Sequence, residues 1–312
     1  MKPIQVITVM SELGAGTRGA SLGMQALWVA CLNKQSSFLK DYNILHVEPN
    51  NDLLLSPSTT PYAKQIEGIN DIFNKTAEAI KHTVAGNKFP LLISGDHSVA
   101  GGTIKGIKEA HPNKRLGVVW IDAHGDLHTP YTTPSGNVHG MPLSTALKMN
   151  NFESQINDLD NNTMDLWDEL CGEEARLQPE DLILFGVRDT EIPEDELIER
   201  LGIKNYSVEE VRRRTAKSCV LECLEQLKEC DIIYISFDVD SMDSSISKGT
   251  GTPVLNGFSK VEIEKILHFL LNDERIACFE MVEINPTLDN KGNKMAEVSF
   301  DILEFVLNSL NK

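Results

Sequence analysis

The sequence lacks any apolar run approaching the roughly 20 residues that a membrane-spanning helix needs, so no such span is expected. It also lacks the apolar core of a secretory signal and the Arg-rich pattern of a transit peptide. Its opening residues, Met1-Lys2-Pro3-Ile4-Gln5-Val6, run straight into a strand-like segment, and a cytoplasmic location is expected. Basic charge is scarce: 29 Lys and Arg stand against 46 Asp and Glu, for a net charge of −17. Nothing is left over to neutralise phosphates, which argues against nucleic acid or an anionic membrane as partner. The six cysteines (Cys31, Cys171, Cys219, Cys223, Cys230 and Cys278) are scattered and form no CxxC pair. This fits a reduced compartment. Cys219 and Cys223, four apart on one helix face, read as core packing. Internal repeats and low-complexity linkers are missing too.

What is present is ordinary globular composition, with 41% hydrophobic and 24% charged residues in a chain of 312. The acidic surface suits solubility and the long-range attraction of a small cationic substrate. Short β-rich runs alternate with helical ones. Strands are predicted at Ile4–Val9, Ile44–Val47, Phe89–Ser94, Leu116–Ile121, Leu182–Val187, Ile232–Phe237 and Ile276–Ile284. Helices are predicted at Ser21–Leu32, Tyr62–Val84, Val99–Ala110, Val261–Leu271 and Ala296–Leu310. Continuous apolar strands alternating with helices imply a mainly parallel sheet covered on both faces. The acidic stretch 150–180 reads as an excursion from this core rather than a separate domain. Its Met164–Cys171 part is expected to form a short helix with Trp167 turned inward.

Ligands of such sheets bind beyond the carboxyl ends of the strands, and there three apolar strands end alike. Leu91-Leu92-Ile93-Ser94 runs into Gly95-Asp96-His97. Val118-Val119-Trp120-Ile121 runs into Asp122-Ala123-His124-Gly125-Asp126. Ile232-Ile233-Tyr234-Ile235-Ser236-Phe237 runs into Asp238-Val239-Asp240. Buried carboxylates crowded together repel one another and resist desolvation, and divalent cations remove both penalties. In an extended segment, residues i and i+2 point to one side, so Asp122, His124 and Asp126, and likewise Asp238 and Asp240, can converge. Two imidazoles and four carboxylates form an oxygen-rich set that favours two Mn²⁺ ions, with Co²⁺ or Ni²⁺ as substitutes. Spacing alone leaves a metallophosphoesterase open, although the Gly-Asn-His-Asp/Glu motif of that class is absent.

These segments, with Thr129–Pro142, Gly249-Thr250-Gly251-Thr252-Pro253 and Glu280-Met281-Val282-Glu283-Ile284-Asn285-Pro286, resemble the motifs of the arginase/agmatinase (ureohydrolase) family. They stand in the same order along nearly the whole chain, and Thr129–Pro142 resembles arginase more than agmatinase. The resemblance implies a three-layer α/β/α sandwich in a single catalytic domain, 1–312, with an insertion near 150–180 of the kind found in some bacterial members. It implies a two-manganese centre held by His97, Asp122, His124, Asp126, Asp238 and Asp240. Metal-bound hydroxide would attack the guanidino carbon of L-arginine to release ornithine and urea. Agmatine, guanidinobutyrate and formimidoylglutamate stand as alternative substrates.

By the same resemblance, His139 is the proton shuttle or general acid, Glu283 holds the guanidinium, and Thr252 lines the pocket. Thr133, Ser135 and Asn137 receive the substrate carboxylate, directly or through water. Two positions depart from the pattern. His128 stands where Asn is usual, and Glu191 stands where an Asp would take the α-ammonium group. A homo-oligomer, trimer or hexamer, is implied as well, although Val261 occupies the place of a frequent interface arginine.

Overall fold

The structure, a computed structural model, describes residues 2–312. Chain order is β1 (Ile4–Val9), α1 (Gly23–Asn33), β2 (Ile44–Val47), α2 (Ile66–Ala85), β3 (Phe89–Ser94), α3 (Val99–Ala110), β4 (Leu116–Ile121), α4 (Pro142–Leu147) and α5 (Asn161–Cys171). It continues with β5 (Leu182–Phe185), α6 (Ile192–Leu201), β6 (Lys204–Tyr206), α7 (Val208–Arg214), α8 (Ala216–Gln226), β7 (Ile232–Asp238), α9 (Lys260–Leu270), β8 (Ile276–Val282) and α10 (Lys294–Leu310). The eight strands form one sheet in the order 2-1-3-8-7-4-5-6, and every pair is parallel.

Alternation along the apolar strands builds two cores. Val6, Leu91, Ile93, Val119, Ile121, Ile233 and Ile235 meet α1 and α7 to α10 on one face. Ile7, Leu92, Val118, Trp120 and Tyr234 meet α2 to α6 on the other. The result is the expected α/β/α sandwich, with the middle strands buried on both faces, as continuous apolar runs require. Cys219 and Cys223 are fully buried on the inner side of α8.

Among the element boundaries that differ from the predicted ones, three have a backbone reason. Helix α2 starts at Ile66 rather than Tyr62, because Gln65 adopts a left-handed conformation at φ 60°. Strand β5 stops at Phe185 rather than Val187: Gly186 turns the chain at φ +90°, and a Cβ there would lie 2.6 Å from the Phe258 ring. Strand β8 stops at Val282 rather than Ile284, because Glu283 is left-handed at φ 67°. The edge strand β6 has only three residues and two of them are polar, too little pattern for the sequence to display.

In the stretch 150–180, α5 packs on α2 and α4. Trp167 is fully buried and donates from Nε1 to Asn150 Oδ1 at 2.8 Å. Just before α5, Asn157 donates to the carbonyls of Pro130 (3.0 Å) and Thr133 (2.7 Å), tying this segment to the loop that follows the second motif. Trp167→Ala is expected to lower the unfolding free energy by about 3–5 kcal/mol, measured by urea denaturation. A loss below 1 kcal/mol would show that α5 contributes little to the core.

The topology places the three motifs and Glu283 side by side. Strands β3, β8, β7 and β4 are consecutive in the sheet. Their registers align Ile93 with Met281, Met281 with Phe237, and Phe237 with Ile121. One residue further along each strand, Ser94, Val282, Asp238 and Asp122 therefore sit level. All the polar strand ends open on one crevice in the middle of the sheet.

Candidate metal centre

The six side chains singled out by spacing come together at that crevice. Nδ1 of His97 lies 3.0 Å from Asp122 Oδ2, 3.0 Å from Asp126 Oδ2 and 3.2 Å from Asp238 Oδ2. Nδ1 of His124 lies 3.1 Å from Asp240 Oδ2 and 3.5 Å from Asp122 Oδ1. Two groups able to hold an ion result, His97–Asp122–Asp126 and Asp122–His124–Asp240, and Asp122 belongs to both. A shared carboxylate between two ligand sets is what a pair of neighbouring ions would use.

Hydrogen bonds fix the ligands from behind. Nε2 of His97 meets Ser236 Oγ at 2.8 Å, and the ring stacks on Trp120 with centroids 4.0 Å apart. Trp120 Nε1 donates to Asp122 Oδ2 at 2.9 Å, and the backbone N–H of His124 donates to Asp122 Oδ1 at 2.8 Å. Asp238 Oδ1 accepts from the N–H of Asp240 at 2.7 Å, and Asp240 Oδ2 accepts from Thr252 Oγ1 at 3.0 Å. Such outer partners orient ligands and set the histidine tautomer.

Two buried atoms test whether this set suits a metal. His97 Nδ1 and Asp126 Oδ2 have no well-formed hydrogen bond. With the His97 proton on Nε2 toward Ser236, Nδ1 presents a lone pair to three carboxylates. With both imidazoles neutral, four buried aspartates carry four negative charges, which two divalent cations would cancel. The titration behaviour points the same way. Burial pushes Asp238 well up, helped by Asp240 and Asp122. Burial also raises Asp126 and Asp240. Burial would lower His97, but Asp122, Asp126 and Asp238 outweigh it and hold it well above the ordinary value. The crevice demands positive charge, and the residues present fit a two-ion centre.

Beside these residues, Glu283 and His139 face one another. Glu283 Oε1 accepts the backbone N–H of His97 at 3.0 Å and lies 3.3 Å from His139 Nδ1. Asp126 and Glu283 both adopt left-handed backbone, at φ 50° and 67°. That conformation is costly away from glycine, about 1–3 kcal/mol each. Glu283 N–H donates to the carbonyl of Gly95 at 2.8 Å, which anchors its bend to the end of β3. Burial would lower the pKa of His139, but Glu283 outweighs it and raises it above the ordinary value.

A cavity of about 300 Å³ runs outward from this centre. Each residue named as a site candidate from the sequence lines it or belongs to the ligand groups, including His128, Thr133, Ser135, Asn137, Glu191 and Thr252. The structure adds Asp189 and Glu194. Glu194 is buried at 3% exposure, and burial raises its carboxyl to about 7, opposed by His128. It lies in the first turn of a surface helix, where an acid ordinarily reads as a capping residue, so the sequence carried no separate signal for it. His128 and Glu191, the two departures from the family pattern, are hydrogen-bonded to each other.

Comparison with known proteins agrees with this geometry. The family model described as "Arginase family" matches residues 2–307. Arginase from Bacillus subtilis (strain 168) is 33% identical over 309 residues, covering 98% of each chain. The native structure of arginase from Bacillus caldovelox superposes with a TM-score of 0.84 at 32% identity, covering 98% of each chain. Formimidoylglutamase from Bacillus subtilis, at 18% identity and a TM-score of 0.75, shares the fold. The phosphoesterase alternative that spacing left open falls away with this result. The chain belongs to the arginase family, as a hydrolase acting on the carbon–nitrogen bonds of linear amidines.

Proposed function

We propose that the protein hydrolyses L-arginine to L-ornithine and urea with two Mn²⁺ ions as cofactor. The observation that carries the reading is the pairing of Glu283 with His139 beside a crevice whose buried carboxylates call for two divalent cations. The ions would be held by His97, Asp122, Asp126 and Asp238 on one side and His124, Asp122 and Asp240 on the other. When bound, such a pair supplies an activated water nucleophile at neutral pH.

The chain's own residues supply the rest. Glu283 presents a carboxylate to the planar fork of guanidinium N–H donors, a strong charge-assisted match. His139, whose pKa is raised by that same carboxylate, carries a proton near neutrality and delivers it to the departing δ-amino nitrogen. Thr252 keeps Asp240 oriented through its 3.0 Å hydrogen bond. At the outer end, Thr133 Oγ1 accepts the N–H groups of Ser135 (3.2 Å) and Gly136 (3.0 Å), and Ser135 Oγ accepts that of Asn137 (3.1 Å). The two hydroxyls also lie 3.5 Å from each other, so one hydrogen is shared between them and the other is left to donate to the substrate carboxylate. In keeping with the family pattern, this reading includes a cytoplasmic homo-oligomer, trimer or hexamer, built from single-domain chains.

Purified protein loaded with Mn²⁺ is expected to release urea and ornithine in equal amounts from L-arginine, followed by colorimetric urea assay and amino-acid analysis. Urea from agmatine with none from arginine would overturn the assignment of substrate.

A further inference from the structure

Glu280 is a buried carboxylate that the reaction described above does not use. It opens the Glu280–Pro286 motif on β8, level with Ser236 of β7 and Leu92 of β3, and is 0% exposed. Its hydrogen-bond partners are two hydroxyls: Tyr234 donates to Oε2 at 2.6 Å, and Ser94 donates to Oε1. An ionised carboxylate can only accept, so both hydroxyls must turn their hydrogens toward it.

That constraint passes along β7 to the metal centre. Burial, with Glu280 beside it, holds the Tyr234 phenol well above its ordinary pKa, so Tyr234 keeps its hydrogen and directs it at Glu280. Its oxygen is then free to accept from Ser236, the next residue on the same face of the strand and a hydrogen-bonding neighbour of the phenol. With the Ser236 hydrogen turned that way, Ser236 Oγ presents only lone pairs to His97 Nε2, 2.8 Å away. The neutral imidazole therefore carries its proton on Nε2. Nδ1 is left bare, 3.0 Å from Asp122 and Asp126 and 3.2 Å from Asp238. Without the carboxylate at its far end, the line can run the other way. Tyr234 would donate to Ser236, Ser236 would donate to Nε2, and the imidazole proton would move to Nδ1. The three aspartates favour a proton there, and an incoming cation would have to displace it.

We propose that Glu280 is a positioning residue for the metal centre, acting through Tyr234 and Ser236 to hold the His97 proton on Nε2 and keep Nδ1 open to a divalent cation. The proposal rests on the reading of His97 as a metal ligand. Its effect falls on metal affinity rather than on the guanidino substrate, since neither Glu280 nor Tyr234 lines the cavity. Orienting partners behind a ligand change metal affinity by about 10- to 100-fold, and one that acts through two further groups belongs at the lower end.

Mn²⁺ binding to the metal-stripped full chain, followed by calorimetry and by EPR of the free ion, tests this. Tyr234→Phe keeps the ring and removes the hydroxyl, and affinity should fall about tenfold. Glu280→Leu removes the acceptor at similar size and should cost as much; Tyr234→Phe serves if it does not fold. The double variant should lose no more than the worse single one, because both break the same line. Glu280→Gln should lie nearer wild type, since its carbonyl can still accept from Tyr234 while its amide donates to Ser94 Oγ. Tyr206→Phe, at a buried tyrosine on the edge strand β6, should leave affinity unchanged. At saturating Mn²⁺, kcat for urea release should hold in every variant, because a bound ion keeps Nδ1 free of its proton. Unmoved Mn²⁺ affinity in both single variants, or losses that multiply in the double variant, would overturn the proposal. Two Mn²⁺ ions bound by the wild type with no urea from any guanidino compound would instead overturn the substrate reading, and the affinities would still decide the role of Glu280. No Mn²⁺ bound by the wild type would overturn both the two-ion reading and this one.

Discussion

Asp122→Asn is expected to reduce urea release by three orders of magnitude or more. Asp122 is the residue common to both ligand groups, and its two oxygens are held by the Trp120 indole and the His124 backbone N–H. An amide offers one oxygen and no charge, so neither group keeps its ligand set. Without a bound divalent ion, water ionises only far above neutrality rather than near pH 7, so at neutral pH the supply of nucleophile collapses. Metal content measured by atomic absorption should fall together with activity. The metal-stripped variant should be no less stable than metal-stripped wild type, because one of several mutually repelling buried carboxylates has been neutralised. Wild-type turnover in Asp122→Asn would remove the case for a shared carboxylate. Lost activity with full metal content would place its role elsewhere.

Glu283→Gln carries the second large effect. The amide oxygen can still accept the His97 N–H, so the bend at the end of β8 should survive. The guanidinium loses its charged partner, and kcat/KM for guanidino substrates should fall about a hundredfold, near the upper range for a hydrogen bond between charged groups. The substitution also acts on His139. Glu283 is the largest influence raising the His139 pKa, and burial opposes it, so in the glutamine variant the pKa moves down. If protonated His139 delivers the proton, activity declines as pH rises through its pKa. That decline should therefore begin at lower pH in Glu283→Gln than in wild type. A pH–rate profile in which the falling limb stays in place, or moves up, would separate His139 from Glu283 and from the proton transfer.

Much of the fold was legible because its signals are local. Strands β1, β2, β3 and β4 and helix α3 have their predicted limits, since each is a stretch rich in apolar or β-branched residues or an amphipathic helical one. Three of the errors fall where one backbone torsion decides. Gln65, Gly186 and Glu283 each enter the left-handed region, and side-chain type alone does not announce that for Gln or Glu. At Glu283 the deviation is informative, because the residue that ends β8 early is also the one whose carboxylate reaches His97 and His139.

The sequence by itself determined which residues could hold two cations. Alternation along an extended chain puts Asp122, His124 and Asp126 on one side, and Asp238 and Asp240 likewise, and burying that much negative charge requires compensation. Only the tertiary structure decided that these groups meet. Strands β3 and β4 follow one another in the chain, yet β7 and β8 insert between them in the sheet. Periodicity records which face of a strand is apolar and carries no information about which strand becomes its neighbour. The structure alone also paired His128 with Glu191, 63 residues apart. Such contacts arise when loops from separate strand ends share one crevice, and nothing local to either residue encodes the other.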